Sequence, residues 1–205
     1  MTRRILIASH NAKKARELET VFKEGDESIF VVPVYDVDAS YPEPEESGST
    51  FLENARIKAR AAFEYFHEAV IADDSGLEVA SLSGEPGVHS ARYSKDHDDE
   101  ANNKKLLRRL EGYQKASERA AQFVSVIVYI DQAGKEYVAQ GICQGTIAFE
   151  PAGSGGFGYD PLFIPDEIPS KTFAEVSEAE KNAISHRGRA LADLKRQLAH
   201  GKRED

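Results

Sequence analysis

The segment from Ala121 to Ile130, AQFVSVIVYI, constrains the fold more than any other part of the chain. Its β-branched and aromatic residues are typical of a buried strand. Gly134 follows at a position suited to a tight turn, and Glu136–Ala148 has the pattern of a partner strand. The sequence therefore predicts a long β-hairpin, against which the other elements must pack.

Shorter apolar runs predict further strands, and segments with helical periodicity lie between them. The additional strands are predicted at Arg4–Ala8, Ile29–Val34 and Ala69–Ala72, with Leu77–Ala80 as a candidate continuation of the last one. Capping boxes at Thr50/Glu53 and Ser177/Glu180 each predict the start of a helix. The second of these helices continues to about Ala199, with an interruption at residues 185–188. A further, charged helix is predicted at Asp98–Leu110. This combination predicts a mixed α/β fold.

Composition and charge narrow the function classes. The chain has 205 residues, which suits one domain over 1–205, or two closely joined lobes that the sequence does not separate. Its net charge of -9 is unlike the basic field of a general nucleic-acid binder. No apolar run is long enough to span a membrane, and Ile5–Ala8 is too short for a signal-peptide core. Cys143 is the only cysteine, which excludes an internal disulfide and fits a cytoplasmic location.

Two adjacent acids, Asp73 and Asp74, follow a predicted strand and begin the sequence Asp-Asp-Ser-Gly. The pattern predicts a polar loop at residues 73–76, where strand ends in α/β sheets commonly bind ligands. Carboxylates in such a loop suit Mg²⁺, which prefers oxygen ligands. A solvated turn is one alternative. Another is the Asp-Ser-Gly sequence of aspartic proteases, in which two subunits would each supply a carboxylate.

A hydroxyl, an amide and two lysines surround the start of a predicted helix in the segment Ser9–Lys14. Helix N-terminal N–H groups attract anions, and Lys14 adds a full positive charge. The segment therefore predicts a phosphate site. A capped surface helix with solvated lysines is the alternative. The chain lacks the GxxxxGK[ST] sequence, so it is not a P-loop nucleotide hydrolase.

The glycine-rich segment Gly153–Gly158 formally matches the dinucleotide-binding pattern GxGxxG. That pattern has to begin a helix, and Pro161 and Pro165 follow too closely for one. We interpret the segment instead as a loop that presents Phe157 for stacking on a base. A glycine-rich exit from the hairpin is the alternative.

Basic residues lie where the C-terminal helical region is interrupted. Lys181 precedes Ser185-His186-Arg187-Gly188, and these side chains could contact a phosphate or a base. An ordinary basic amphipathic helix explains the pattern equally well. Glu45 and Glu46 lie in an acidic loop that, by default, is solvated. They gain significance only if that loop folds back toward Asp74.

Together these motifs resemble the inosine/xanthosine triphosphate pyrophosphatase family. The matching segments follow one another through nearly the whole chain: SHNAKKAREL, EESGSTFLENA, VIADDSGLEV, PGVHSARYS, EPAGSGGFGYDPLF and EKNAISHRGRAL. The resemblance implies an elongated mixed α/β fold with a long central sheet, flanking helices and two lobes around a central active-site cleft. It also implies a homodimer. The acidic charge and the lack of a long apolar run predict that the protein binds neither nucleic acid nor membranes.

The resemblance further implies an activity and residue roles. The expected reaction is magnesium-dependent hydrolysis of the non-standard purine nucleotides ITP, dITP and XTP to a monophosphate and pyrophosphate. Asp74 would be the general base and a Mg²⁺ ligand, Glu46 would be a second ligand, and Glu45 and Asp73 would support them. The expected substrate-binding residues are Ser9, Asn11, Lys14, Ser75, Phe157, Gly158, Tyr159, Asp160, Lys181, His186 and Arg187.

Other functions remain open at this point. A related nucleotide pyrophosphatase could prefer another base, for example uracil in dUTP. A nucleotide-binding regulator could share the binding motifs without catalysing hydrolysis. These alternatives differ in the substrates they turn over, so a nucleotide panel distinguishes them.

Overall fold

A computed structural model describes residues 3–9, 18–19, 29–94 and 98–201 of the chain. Its strands form a sheet in the order β2-β1-β3-β4-β5-β6. The strands are β1 (Arg3–Ile7), β2 (Ile29–Pro33), β3 (Val70–Val79), β4 (Ala120–Ile130), β5 (Glu136–Ile147) and β6 (Phe163–Pro165). β1 runs parallel to both β2 and β3, whereas β5 and β6 are antiparallel. The sheet therefore contains both parallel and antiparallel strand pairs.

Helices of the described residues lie between β2 and β3, between β3 and β4, and after β6. They are α1 (Val34–Val37), α2 (Phe51–Phe66), α3 (Asp99–Arg109), α4 (Glu178–Ile184) and α5 (His186–Gly201). Short 3-10 turns lie at Ala80–Leu82, Gly87–Arg92, Ala116–Arg119 and Phe173–Glu175. No helix in the described part of the chain is long and apolar enough to cross a membrane. The mixed α/β class is thus confirmed.

Both predicted capping boxes are present. The Thr50 hydroxyl accepts a hydrogen bond from the Glu53 N–H at 3.2 Å, and the Glu53 carboxylate accepts the Thr50 N–H at 3.1 Å. Ser177 and Glu180 make the same reciprocal pair at the start of α4. Each box satisfies backbone donors that have no partner within the helix, which fixes where α2 and α4 begin.

The prediction of a loop at residues 73–76 is wrong. β3 continues through the Asp-Asp-Ser-Gly sequence to Val79. Leu77 and Val79 are fully buried, and burying them offsets the low strand propensity of Asp and Gly. The candidate continuation after residue 76 is therefore part of the same strand, and Asp73 and Asp74 occupy strand positions.

The chain forms two compact units. The first comprises Met1–Asp74, Ser125–Gly141 and Arg187–Asp205. Buried side chains of β1, β3, β4 and α5 fill its core: Ile5, Ile7, Ile71, Ile127, Tyr129 and Leu191. This core fixes the position of the β3 segment that ends in Asp73 and Asp74.

The second unit comprises Ser75–Val124 and Ile142–His186. Its core is richer in aromatic residues and includes Leu77, Leu106, Phe123, Tyr159, Phe163 and Phe173. The rings of Phe123 and Phe163 lie 4.7 Å apart, and those of Phe163 and Phe173 lie 5.2 Å apart. Tyr159 belongs to this core, so the glycine-rich loop that precedes it is anchored at its C-terminal end.

Candidate active site

In the first unit, a buried lysine contacts the carboxylates of two acidic side chains. Lys58 extends from α2, and its Nζ is 2.9 Å from the Glu46 carboxylate and 3.2 Å from Asp74 Oδ1. The same nitrogen donates to the backbone oxygen of Asp73 at 3.0 Å. The acidic loop therefore does fold back, and it brings Glu46 and Asp74 to a single cation.

An asparagine connects the acidic loop to the same carboxylate. Asn54 donates through Nδ2 to Asp74 Oδ2 at 3.3 Å and accepts the Gly48 N–H through Oδ1 at 2.8 Å. A Cβ at Gly48 would lie 2.6 Å from that Oδ1. Gly48 is thus required for the loop to approach α2, and both oxygens of Asp74 have a hydrogen-bond donor.

The electrostatics of Lys58 follow from these contacts. Burial by itself would lower the pKa of the ammonium, but the Asp74 and Glu46 carboxylates outweigh it and raise the pKa above its usual value. Lys58 is therefore fully charged at neutral pH. Because the exposed fraction of the residue is only 9%, its charge acts at close range with little solvent screening.

Asp73 has different partners from its neighbour. Its Oδ1 accepts a short hydrogen bond from the Ser125 hydroxyl, and its Oδ2 lies 3.4 Å from the Arg187 guanidinium. All three side chains are buried. Successive residues of a strand point to opposite faces, and this alternation separates the partners of Asp73 from those of Asp74.

The donor set around Lys58 fits a hard divalent cation. Mg²⁺ in phosphate-handling sites is commonly held by one or two carboxylates together with substrate oxygens. Glu46 and Asp74 supply two such carboxylates, and Lys58 Nζ shows that they can converge on one positive charge. Within the described residues, no group of three or more His, Cys, Asp or Glu side chains is placed to hold a metal. A cation here would thus depend on additional oxygen ligands from a substrate or water.

The second unit contains another buried ion pair, beside the glycine-rich loop. Asp160 Oδ2 accepts hydrogen bonds from Lys181 Nζ at 2.7 Å and from the Phe157 N–H at 2.8 Å. Lys181 Nζ also lies 4.6 Å from the centroid of the Phe157 ring. An aromatic ring, a cation and a carboxylate therefore lie together, a combination that offers a stacking surface and hydrogen-bonding groups to a ligand.

The backbone of the glycine-rich loop permits this arrangement. Gly156 has φ of 71°, and a Cβ there would lie 2.0 Å from Asp160 Oδ2. A side chain at that position would push the carboxylate away from Lys181. The Gly153–Gly158 segment begins no helix, which confirms that it is not a dinucleotide-binding turn.

Other predicted site residues lie in varied surroundings. Tyr159 is buried, its hydroxyl donates to the Ser90 backbone oxygen at 2.8 Å, and burial raises the pKa of its phenol. His186 is buried with its ring stacked on Phe123 at 4.8 Å. Ser9 and Ser75 are half-buried, and Glu45 is exposed. Asn11 and Lys14 lie outside the described residues.

Comparison with known proteins places the chain in a family. The sequence profile described as Ham1 family matches residues 5–197. The chain belongs to the Ham1 family. The family predicted from the motifs is therefore confirmed, because relatives of this chain carry the name dITP/XTP pyrophosphatase.

Similar proteins match over nearly their whole length. A dITP/XTP pyrophosphatase of Corynebacterium diphtheriae is 46% identical over 93% of this chain and 94% of its own. One of Mycolicibacterium paratuberculosis is 48% identical over 91% of both chains. The solved Ham1 protein of Staphylococcus aureus has a TM-score of 0.85 and 40% identity, covering 97% of this chain and 100% of its own. The Ham1 fold therefore extends through the chain.

Sequence reasoning missed two residues of this candidate site, Asn54 and Lys58. Their spacing carried a signal. Both fall on the buried stripe of α2, which also contains Phe51, Ala55, Ala59 and Ala62. Polar side chains on an otherwise apolar helical face need buried partners, and the adjacent acids supply them.

Proposed function

We propose that this chain hydrolyses the non-standard purine nucleoside triphosphates ITP, dITP and XTP to the nucleoside monophosphate and pyrophosphate. Membership of the Ham1 family supports the proposal, as do relatives named dITP/XTP pyrophosphatases that align over more than nine-tenths of the chain. The observation that carries it is the convergence of Glu46 and Asp74 on Lys58. That arrangement provides oriented carboxylates beside a retained positive charge, which phosphoanhydride hydrolysis needs.

Asp74 is proposed as the general base. Lys58 holds its Oδ1 and Asn54 holds its Oδ2, so the direction of the carboxylate is fixed before a substrate binds. A carboxylate held in this way can accept the proton of a water that attacks the α-phosphorus. Asp74 and Glu46 are also the proposed ligands of Mg²⁺, with Glu45 and Asp73 in support. When bound, Mg²⁺ would neutralise phosphate oxygens and the charge that develops on pyrophosphate.

Phosphate binding is proposed for four residues that come before or after these acids in the sequence. Ser9, Asn11 and Lys14 would hold the phosphate chain, and Ser75 would contribute beside Asp74. A hydroxyl, an amide and a lysine together offer donors and a charge to a triphosphate without a P-loop. Residue-by-residue substitution, scored by the KM for ITP, tests each of them.

The group around Asp160 is proposed to bind the purine. Phe157 would stack on the base, Gly158, Tyr159 and Asp160 would line its surroundings, and Lys181 would donate to the 6-carbonyl. His186 and Arg187 are further proposed contacts to the base and the sugar–phosphate. Hypoxanthine and xanthine carry a carbonyl where adenine carries an amino group, so an amino group opposite such a donor leaves that donor unpaired. A buried unpaired donor costs about 1–3 kcal/mol, which disfavours ATP strongly.

The aspartic protease alternative loses its basis. A protease dyad requires two carboxylates that share a proton. Asp74 instead contacts the charged Lys58, and the Asp-Ser-Gly sequence lies inside β3. We propose further that the protein works as a homodimer in the cytoplasm, which fits its acidic charge and its buried single cysteine.

A substrate panel tests the activity. ITP, dITP, XTP, GTP, ATP and dUTP are assayed for pyrophosphate release with Mg²⁺ and with a chelator. We expect Mg²⁺-dependent release from the first three only. Preferential turnover of dUTP or GTP would assign another base preference, and binding of ITP without pyrophosphate release would indicate a regulator.

Substitution of the proposed base sharpens the test. Asp74→Asn should lower kcat at least about 100-fold, in line with the 10²–10⁴-fold contribution of general bases. The melting temperature and the far-UV spectrum should show a folded protein. Asp36→Asn, which changes an exposed acid of the same unit, is the matched control and should retain full activity. Near-normal turnover by Asp74→Asn contradicts the assignment.

A further inference from the structure

Two side chains of α3 hold the peptide groups on both sides of Gly158. Asp99 Oδ2 accepts the Gly158 N–H at 2.7 Å, and Asn103 Nδ2 donates to the Gly158 carbonyl at 2.9 Å. Asp99 and Asn103 are one helical turn apart, so they face the loop from the same side of α3. The proposed chemistry uses neither of them.

The held peptide groups determine the direction of Phe157. The N–H of Phe157 is bonded to Asp160 Oδ2 at 2.8 Å, which fixes the peptide before the ring. The Gly158 N–H belongs to the peptide after the ring, and Asp99 fixes that one. With both flanking peptides fixed, the Cα–Cβ bond of Phe157 has a defined direction. Gly158 has φ of 62°, which glycine adopts as readily as other conformations. Because glycine itself does not favour this turn over others, hydrogen bonds from other residues must hold it.

The position of Asn103 lets its Nδ2 donate to Gly158, but it also lowers the stability of the protein. Its Oδ1 is buried and has no hydrogen-bond partner in the part of the chain that the structure describes. A buried acceptor without a partner is unfavourable, and asparagine is a poor helix former. A residue serving α3 alone would therefore better be apolar. The hydrogen bond to Gly158 is the feature that an apolar residue would not provide.

We infer that Asp99 and Asn103 are positioning residues for base recognition: they hold the Gly158 turn so that Phe157 presents its ring to the purine. The inference rests on the proposed function, since it assumes that Phe157 stacks on the base. It assigns α3 a role in substrate selection, which differs from the roles proposed for Glu46 and Asp74 in the first unit. Neither side chain needs to touch the substrate.

The test uses the double variant Asp99→Ala/Asn103→Leu in the full chain. The matched control is Glu100→Ala/Lys104→Ala, which changes an exposed ion pair with the same spacing on the same helix. Steady-state kinetics with ITP give KM and kcat, and competitive inhibition by pyrophosphate reports a ligand that has no base. Hydrogen exchange of residues 156–160 reports the turn directly, and thermal unfolding reports stability.

We expect the KM for ITP to rise about tenfold in the double variant, because two hydrogen bonds of ordinary net strength are lost. The kcat and the inhibition constant of pyrophosphate should stay within about twofold of wild type, since the phosphate site is untouched. Exchange at residues 156–160 should accelerate. Asn103→Leu alone should raise the KM while the melting temperature stays level or rises, because the unpaired acceptor is removed. The control should match wild type in every measurement.

Several outcomes would overturn the inference. They are an unchanged KM, a KM increase accompanied by an equal rise in the pyrophosphate inhibition constant, or a drop in kcat and melting temperature with the KM unaltered. The last result would make α3 a purely structural support. If wild type itself releases no pyrophosphate from ITP, the proposed function fails. Hydrogen exchange in the double variant still decides whether α3 holds the turn, and slow exchange there refutes the inference independently.

Discussion

Replacing Lys58 by methionine tests whether its ammonium compensates the negative charges of Glu46 and Asp74. The substitution keeps the length of the side chain and removes its ammonium. Glu46 and Asp74 would then face each other without the cation that lies 2.9 and 3.2 Å from their oxygens. Their mutual repulsion and the loss of the buried partner should destabilise the metal-free protein.

The size of the effect follows from burial. Removing one partner of a buried ion pair costs about 3–5 kcal/mol. The Asp74 side chain is 10% exposed, whereas that of Glu46 is 26% exposed and is screened more by water. We therefore expect the low end, about 3 kcal/mol. For a protein of this size each kcal/mol shifts Tm by about 2–4 °C, so Tm should fall by about 6–12 °C.

Divalent ions should reverse most of this loss. A metal at the proposed ligands Glu46 and Asp74 would compete with Lys58 in wild type, whereas in Lys58→Met it would meet no competing cation. Mn²⁺ serves as a stand-in for Mg²⁺, and its binding is measured by calorimetry. We expect it to bind the variant at least tenfold more tightly than it binds wild type. At a free metal concentration about 100 times Kd, binding stabilises the fold by about 2.7 kcal/mol. The Tm of the metal-bound variant should then approach that of wild type measured in a chelator.

Arg60→Met is the matched control for this experiment. Arg60 is on the same helix, its side chain is 59% exposed, and it pairs with Glu136 at the surface. Exposed pairs contribute about 0–1 kcal/mol, so this variant should melt close to wild type and bind Mn²⁺ unchanged. The reasoning fails if Lys58→Met melts like wild type in a chelator, or if its Mn²⁺ affinity does not rise.

Three other predictions concern separate parts of the molecule. Phe157→Ala should raise the KM for ITP severalfold with little change in Tm, and an unchanged KM would remove the stacking proposal. Gly145→Ala would place a Cβ 2.2 Å from the Ile164 oxygen, so β6 must shift at a cost of about 1–3 kcal/mol in chemical denaturation, whereas Gly112→Ala, with open space around it, should be neutral. Burial raises the pKa of Glu136, but hydrogen bonds from its arginine partners outweigh burial and lower the pKa overall. Its stabilisation is thus present above the unfolded pKa of about 4.3 and lost as pH falls through the lower folded pKa, so the stability gap between wild type and Glu136→Gln should shrink on acidification.

Local patterns predicted most of the fold. The long hairpin appears as β4 and β5, and the two capping boxes begin α2 and α4 as expected. The C-terminal helical region breaks at Ser185, whose extended backbone with ψ of 154° separates α4 from α5. Each of these features depends on residues close in sequence, whose conformational preferences do not require knowledge of distant partners.

Tertiary contacts explain what local patterns missed. Asp and Gly are poor strand formers, so residues 73–76 looked like a loop, but buried Leu77 and Val79 keep them in β3. Lys58 was not predicted as a site residue, because its partners lie at a distance in sequence that periodicity does not report. Asp99 and Asn103 were hidden for the same reason, since Gly158 is more than fifty residues away.

The alternation of side chains along β3 explains how two adjacent aspartates acquire separate tasks. Asp73 is 2% exposed and contacts Ser125 and Arg187, so it is placed to orient the guanidinium. Asp74 instead contacts Lys58 and Asn54. If β3 shifted by one residue, Asp73 would take the position beside Lys58 and the arginine would lose its carboxylate. Burial of Ile71 and Leu77 on either side of the pair holds the register, so the apolar core of each unit determines which of the two acids contacts Lys58.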